Sequence, residues 1–422
     1  MEILKSNRAR MYFLITGTLV AITATLFFTV ANESGVATEQ KSGPVLRDAE
    51  LAAELVAEGL ESPTSMAFLD DGRIMVLEKS GQVRLVSEGE LLEEPVLKVD
   101  VADEVERGLL GIAIWSGEND THVFLYLTEE DGEVRNRVYR YDWSGNSLHS
   151  RALVLDLPGE PGPYHNGGKV TIGPDGYLYA VIGDVNAGGG MLDNQIPGGP
   201  LDDKSVVLRV DRDTGMPVDD NPFYQYGGEL EKLQRYYAYG IRNSFGMDFD
   251  PLTGRLWMTE NGPDVYDEIN VVEPGFNSGW HKVMGPISRT NVTTDDLVAF
   301  NGSRYQDPAF SWHSPIGVTD IEFFDSAELG EKYENNVFVG DINNGNLYFL
   351  KVNQERDGVE LNSSGLSDLV ADPVGDDIFG EASLIIIGER FGRITDIETG
   401  PDGNLYVLSY LDGKIHRITS RG

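Results

Sequence analysis

The sequence predicts an all-β fold, a six-bladed β-propeller of four-stranded antiparallel blades, and two observations predict it. Composition is the first. The chain has 49 glycines and 19 prolines in 422 residues, which favours many short strands joined by turns over long helices. Its 41% hydrophobic content is enough for a large core. Repetition is the second: a strand, a tight turn and another strand recur six times between Leu51 and Ile418. A double β-sandwich built of hairpins shares this periodicity and is the competing fold.

The six units follow in order. Phe68 to Leu77 leads into Gly81 to Val86, and His122 to Trp143 forms the second hairpin. Gly173 to Gly183 with Val206 to Asp211 is the third. Its turn, Gly173-Pro174-Asp175-Gly176, places a proline where φ is preset and a glycine where φ turns positive, ahead of the alternating apolar run Leu178, Ala180, Ile182. Phe249 to Thr259 with Glu268 to Val272 is the fourth, Val337 to Val352 the fifth, and Gly400 to Ser409 with Gly413 to Ile418 the sixth. Units this far apart require long connections, and a ligand site is expected where such loops gather on one face. Val292 to Tyr305 and Gly358 to Phe379 are irregular and acidic and read as surface insertions.

Before the repeats, Met11 to Ala31 is uncharged and long enough to span a bilayer at about 20 residues per crossing. Lys5, Arg8 and Arg10 precede it, which keeps the N-terminus cytoplasmic and sends the rest of the chain outward. Thr29-Val30-Ala31 has the small residues of a cleavage site, so residues 1–31 are expected to be a membrane anchor or a signal peptide. Residues 32–50 read as a polar linker and 51–422 as the propeller, an extracytoplasmic domain that is anchored or secreted. Formal charge is −36, from 33 Lys and Arg against 69 Asp and Glu, which argues against nucleic acid as a partner. Any anionic ligand must be met by locally placed cations or metal. The absence of cysteine excludes disulfides, thiolate metal sites and a cysteine nucleophile.

Two stretches carry the candidate chemistry. In Tyr164 to Asp184, His165 is one of only six histidines. A carboxylate such as Asp184, accepting from one ring nitrogen, would leave the other as a general base; a structural histidine at a blade edge is the simpler alternative. In Tyr239 to Trp280, Arg242-Asn243 offers a guanidinium beside an amide. Asn261-Gly262-Pro263-Asp264 with Asp267 and Glu268 supplies hard oxygen donors of the kind calcium prefers. Glu106, before Arg107-Gly108-Leu109-Leu110-Gly111, and Arg390 to Asp402 are weaker candidates.

Taken together, ERGLLGIAI at Glu106, HNGGKVTIGPDGYLYAVIGD at His165, GIRNSFGMDFDPLTGRLWMTENGPDVYDEIN at Gly240, GFNSGW at Gly275 and RITDIETGPDGNLYVLS at Arg393 resemble the soluble PQQ-dependent sugar dehydrogenases, the glucose/sorbosone dehydrogenase family. The resemblance implies a calcium-containing six-bladed propeller. In it, His165 takes the proton from the anomeric hydroxyl of a sugar while hydride passes to the quinone. Asp184 orients that histidine, and Arg242, Asn243 and Arg393 contact the cofactor. Gly262 and Pro263 hold the catalytic calcium through their carbonyls, and Glu268 with Ser278 matches a second calcium site. Glu106 and Asp267 fall on the substrate side. The chain departs from the family at two cofactor-binding positions, with Asn343 for a lysine and Thr395 for an arginine, and Ile316 stands where a threonine is usual. The function implied is oxidation of an aldose or related alcohol, with electrons passed to an external acceptor. A calcium-dependent lactonase, which the two lost cations favour, and a non-catalytic binding propeller, since a propeller fold alone says little about activity, are the alternatives.

Overall fold

The computed structural model describes residues 43–422, so the membrane segment expected within 1–31 lies outside the described residues. Among the described residues no helix is long and apolar enough to cross a membrane. They form an all-β propeller whose strands assemble into six sheets. The strands nearest the axis are Pro63–Phe68, Leu109–Ser116, Val170–Ile172, Met247–Phe249, Val318–Phe324 and Ile394–Thr399. Each packs against the next and the last against the first, which closes the ring.

The apolar alternation seen in the sequence becomes the packing between sheets. Six buried clusters occupy the six interfaces between neighbours. One joins Phe124 and Tyr126 to Leu178 and Ile182, another Trp257 to Phe323 and Tyr348. The turns form as their residues dictate: Gly176 adopts φ 79° and its N–H donates to the Gly173 carbonyl at 2.8 Å. The same turn recurs at Gly403, with φ 75° and a 2.8 Å bond to Gly400.

Closure draws on both ends of the described chain. Leu51–Glu58 pairs antiparallel with Lys414–Ser420, so the first long strand completes the last sheet. The fold also begins earlier than the expected boundary at residue 51. Val45–Leu46 pairs with Ile386–Glu389, and the Arg47 N–H donates to the Ile387 carbonyl at 2.8 Å. This stretch of the expected linker is therefore an edge strand. The expectation of uniform four-stranded antiparallel sheets is also corrected, because only two of the six have four strands. Phe276–Asn277 and Arg304–Tyr305 extend the third sheet, and Val370–Ala371 extends the fourth, all in parallel register. Parallel neighbours need long crossovers; the strands of the fourth sheet intervene between Tyr236–Tyr239 and Phe276–Asn277, and the two insertions supply the added strands Arg304–Tyr305 and Val370–Ala371.

The axis of the ring is acidic. Lys169 Nζ lies 2.8 Å from Asp320 Oδ1 and 2.8 Å from Asp396 Oδ1. Asp396 Oδ2 also accepts from the Met66 N–H at 2.6 Å, and Asp320 Oδ2 from the Ile397 N–H at 3.0 Å. Two residues further along their strands stand Glu322 and Glu398, joined by Asp248 from the fourth sheet. These three are half-buried, surrounded by protein but reachable by water along the channel. Burial, then the charge of Asp396, pushes Glu398 up to about 8, and burial pushes Asp248 up to about 6. A carboxyl that is harder to ionise when folded binds more protons in the native state, so stability falls as pH rises through that window. Glu398→Gln is therefore expected to stabilise the protein at pH 8 by about 1 to 2 kcal/mol, and by less at pH 5, as read by thermal melts at the two values.

Candidate active site

The loops that carry the candidate residues all open on one end of the ring, because they precede the axial strands or join the second strand of a sheet to the third. His165 lies between Leu148–Pro158 and Val170–Ile172, and Asp184 directly follows Leu178–Ile182. Arg242 and Asn243 lead from Tyr236–Tyr239 into Met247–Phe249, and Gly262 follows Leu256–Glu260. Alternation of strand direction thus brings residues far apart in sequence to one face.

There they meet. His165 Nδ1 lies 2.6 Å from Asp184 Oδ1. Asp184 Oδ1 also accepts from the Asn186 N–H at 2.8 Å, and Oδ2 accepts from the Trp280 indole N–H at 2.9 Å. Burial alone would raise the Asp184 carboxyl, but the bonds and charge it receives from His165 and the bond from Trp280 outweigh that and hold it below the usual carboxylate range. Its N–H donates to the Arg242 carbonyl at 2.9 Å. Between them Gly183 admits no side chain, since a Cβ there would stand 2.3 Å from that carbonyl and 2.6 Å from the His165 carbonyl.

His165 occupies the left-handed region at φ 58°, which costs a non-glycine residue about 1 to 3 kcal/mol unless its surroundings fix it. They do so from two sides. Its N–H donates to Glu106 Oε2 at 2.6 Å, and the same oxygen accepts from Asn243 Nδ2 at 3.1 Å. The next residue, Asn166, is fully buried. Its carbonyl accepts from the Tyr126 hydroxyl at 2.8 Å and its Oδ1 from Asn136 Nδ2 at 3.0 Å. Asn243 Oδ1 in turn accepts from the Gly167 N–H at 3.1 Å.

Beside this group opens a cavity of about 250 Å³, lined by Glu106, Gly167, Lys169, Phe245, Arg393 and Thr395 among others. His165 adjoins it through Glu106 and Gly167, which line it, and Asn243 bonds to both of those residues; His165, Asn243, Arg242 and Gly262 are not part of its lining. Arg393 is exposed and makes no side-chain hydrogen bond or ion pair among the described residues. Arg242 Nη1 donates to the Asn261 carbonyl at 2.9 Å, while its Nε is buried without a partner.

Below Arg242 lies a second buried group. Glu260 Oε1 accepts from the Arg242 N–H at 2.7 Å, and Oε2 from the Ser278 hydroxyl at 2.5 Å. Asn270 Nδ2 bridges Glu260 and Glu268 at 3.3 and 3.1 Å, and Asn270 Oδ1 is buried without a donor. Burial pushes Glu260 up to about 7, and burial with the charge of Glu260 also raises Glu268. Two crowded carboxylates beside an unpaired amide oxygen form a donor set suited to a hard cation. Among the described residues no three His, Cys, Asp or Glu side chains converge as a metal cluster.

The glucose/sorbosone dehydrogenase family pattern matches residues 60–417. The chain belongs to that family. It is 26% identical to the aldose sugar dehydrogenase YliI of Escherichia coli over 380 residues, covering 87% of this chain and 92% of that protein. It is 28% identical to quinoprotein glucose dehydrogenase B of Acinetobacter calcoaceticus over 260 residues, covering 55% of this chain and 52% of that one. Among solved structures, a putative oxidoreductase (glucose dehydrogenase) of Thermus thermophilus matches with TM-score 0.69 at 28% identity, covering 87% of this chain and 99% of that one. The PQQ-bound aldose sugar dehydrogenase of Streptomyces coelicolor shares the fold, with TM-score 0.63 at 23% identity, over 88% of this chain and 99% of that one.

Set against the family, several expectations need correction. Asp267 is 1% exposed. Its oxygens accept from the Gly262, Ile316, Gly317 and Val318 N–H groups at 2.9, 2.9, 2.7 and 3.2 Å, so it braces a loop and cannot meet a substrate. Thr395 lines the cavity, but its hydroxyl donates to the Pro63 carbonyl at 2.9 Å, and Asn343 is exposed beside Gly317. Neither replaces a cation. Ile316 is packed in the core. Glu268 and Ser278 converge with Glu260, whereas Pro263 is exposed and Gly262 is bonded through Asp267. Lys169 is paired to carboxylates, Arg107 clamps the Gly159 carbonyl at 2.6 Å, and Lys282 donates to the Asp296 carbonyl, so each of these cations is already engaged. Sequence reasoning missed Glu260, Asn270 and the Tyr126–Asn136–Asn166 brace, which have no spacing signature. Glu106→Ala removes the acceptor shared by His165 and Asn243 and is expected to destabilise the protein by about 1 to 3 kcal/mol in denaturant titrations. Glu106→Gln, which keeps one acceptor oxygen, is expected to lose less than half of that.

Proposed function

We propose that this protein oxidises an aldose sugar or related alcohol to the lactone, using PQQ and calcium and passing electrons to an external acceptor outside the cytoplasm. Each sheet is read as one blade of a six-bladed ring whose open end holds the site. The single observation that carries the proposal is the 2.6 Å bond between His165 Nδ1 and Asp184. With the carboxylate ionised, Nδ1 carries the proton and Nε2 is left as the basic nitrogen.

The cofactor's three carboxylates require cations, and the unpaired guanidinium of Arg393 and the unpartnered Nε of Arg242 fit that need. Asn243 supplies an amide at the same edge. The oxygen donors of Glu260, Glu268 and Asn270 fit calcium, and Gly262 and Pro263 are the carbonyls the family places at the catalytic ion. When bound, PQQ supplies an electrophilic carbonyl carbon that accepts hydride, and calcium polarises it. His165 Nε2 takes the proton of the anomeric hydroxyl as the C–H bond breaks and the C=O bond of the lactone forms. Asp184 keeps the imidazole in the tautomer this requires and stabilises the imidazolium that results. Glu106 holds the His165 backbone and borders the cavity where the sugar would enter.

Protein given PQQ and calcium is expected to show a bound-quinone absorbance and to reduce a dye with at least one aldose. His165→Ala is expected to lower kcat by about 10² to 10⁴ with quinone binding retained. Absence of both signals with every aldose would overturn the proposal. Hydrolysis of a sugar lactone without quinone would replace it with the lactonase reading, which the uncharged Asn343 and Thr395 favour. Calcium added to metal-free protein is expected to raise Tm, and Glu268→Gln to abolish that rise, as measured by calorimetry.

A further inference from the structure

The GFNSGW stretch ends in Trp280, to which neither the sequence nor the proposed chemistry assigns a task. The side chain is 7% exposed and held at both backbone ends. Its N–H donates to the Gly240 carbonyl at 3.1 Å, and its carbonyl accepts from Asn194 Nδ2 at 2.8 Å. Asn194 is itself paired with Asn277 by two 2.9 Å bonds. A ring held this firmly can position other groups.

Besides the ring of its chain neighbour His281, two groups of the site touch it. The indole N–H donates to Asp184 Oδ2 at 2.9 Å, and the Arg242 guanidinium lies over the ring, 5.3 Å from its centroid, within the range of a cation–π contact. Arg242 feels the charges of Asp184, Glu106 and Glu260. Among the described residues, however, it makes no ion pair. Oδ2 of Asp184 has no donor other than the indole, so without it that oxygen would carry its charge unpaired beside a guanidinium whose field it already feels. The indole opposes this twice: it occupies Oδ2 with a donor, and its face gives the guanidinium another partner.

We propose that Trp280 is a positioning residue for sugar oxidation, a spacer that keeps Asp184 on His165 and Arg242 free for the cofactor side of the site. The inference rests on the dehydrogenase reading above. Its structural half, that Trp280 governs the state of Asp184, stands independently of that reading.

Trp280→Phe keeps the ring face and deletes the N–H. Its kcat for an aldose, with PQQ and calcium, is expected to fall by about 10- to 100-fold, with KM for the sugar within about twofold. In an Asp184→Asn background the same change is expected to cost less than about threefold more, because residues acting through one another are not additive. Without cofactor, the carboxyl carbon of Asp184 in ¹³C-aspartate-labelled protein is expected to titrate at higher pH in Trp280→Phe than in the wild type, since a donor to the ionised form has been lost. Folding is checked by the melting curve of each variant. An unchanged kcat, a full additive loss in the Asp184→Asn background, or an unmoved Asp184 titration would each overturn the proposal. Wild-type protein without any sugar oxidation would instead sink the dehydrogenase reading, and the titration would still decide whether Trp280 controls Asp184.

Discussion

The site depends on one buried carboxylate. Asp184 accepts a bond from the imidazole of His165, another from the indole of Trp280 and a third from the backbone of Asn186, while its own N–H is fixed by the Arg242 carbonyl. Three loops from different parts of the chain are thus joined at a single residue. A buried charge is tolerated when its lone pairs are filled by donors. Here two of the three donors, the imidazole of His165 and the indole of Trp280, are side chains whose own orientation the same bonds fix.

That arrangement is possible only because the ring is closed and stiff. The strand Leu51–Glu58 completes the last sheet, and apolar clusters fill every interface between neighbours. The axial group of Lys169, Asp320 and Asp396 ties strands of different sheets together beneath the cavity. A loop residue such as His165, held at positive φ, keeps its geometry because Asn166 is anchored to Tyr126 and Asn136 of the preceding sheet. The acidity of the whole chain, −36 in formal charge, makes cations scarce at the site, so the placement of Arg242 and Arg393 matters more than their number.

Much of this was legible in the sequence, and what was not has a physical reason. The six hairpin units follow from turn residues and period-two alternation, which are local. The pairing of His165 with Asp184 and the gathering of Arg242, Asn243 and Glu106 were implied by the resemblance to the family, since spacing alone left a structural histidine at a blade edge as the simpler reading. Asp267 was misread because composition shows a carboxylate but not that four backbone N–H groups surround it. Glu260 and Asn270 stayed hidden because they read as ordinary strand residues, and only the sheet pairing of Leu256–Glu260 with Asp267–Val272 brings them together. The extra parallel edge strands escaped for a similar reason, since two-residue pairings carry no periodicity.

In the proposed dehydrogenase, one cavity at the open end of the ring brings a sugar hydroxyl to His165 while a quinone rests against the arginines. A crystal structure of the protein with PQQ, calcium and a slow or non-reacting aldose tests it most directly. Quinone density is expected to be bordered by Arg393, Asn243 and Arg242, with the anomeric oxygen within hydrogen-bond distance of His165 Nε2. Quinone bound elsewhere on the ring, or a sugar whose anomeric oxygen is out of reach of that nitrogen, would contradict it.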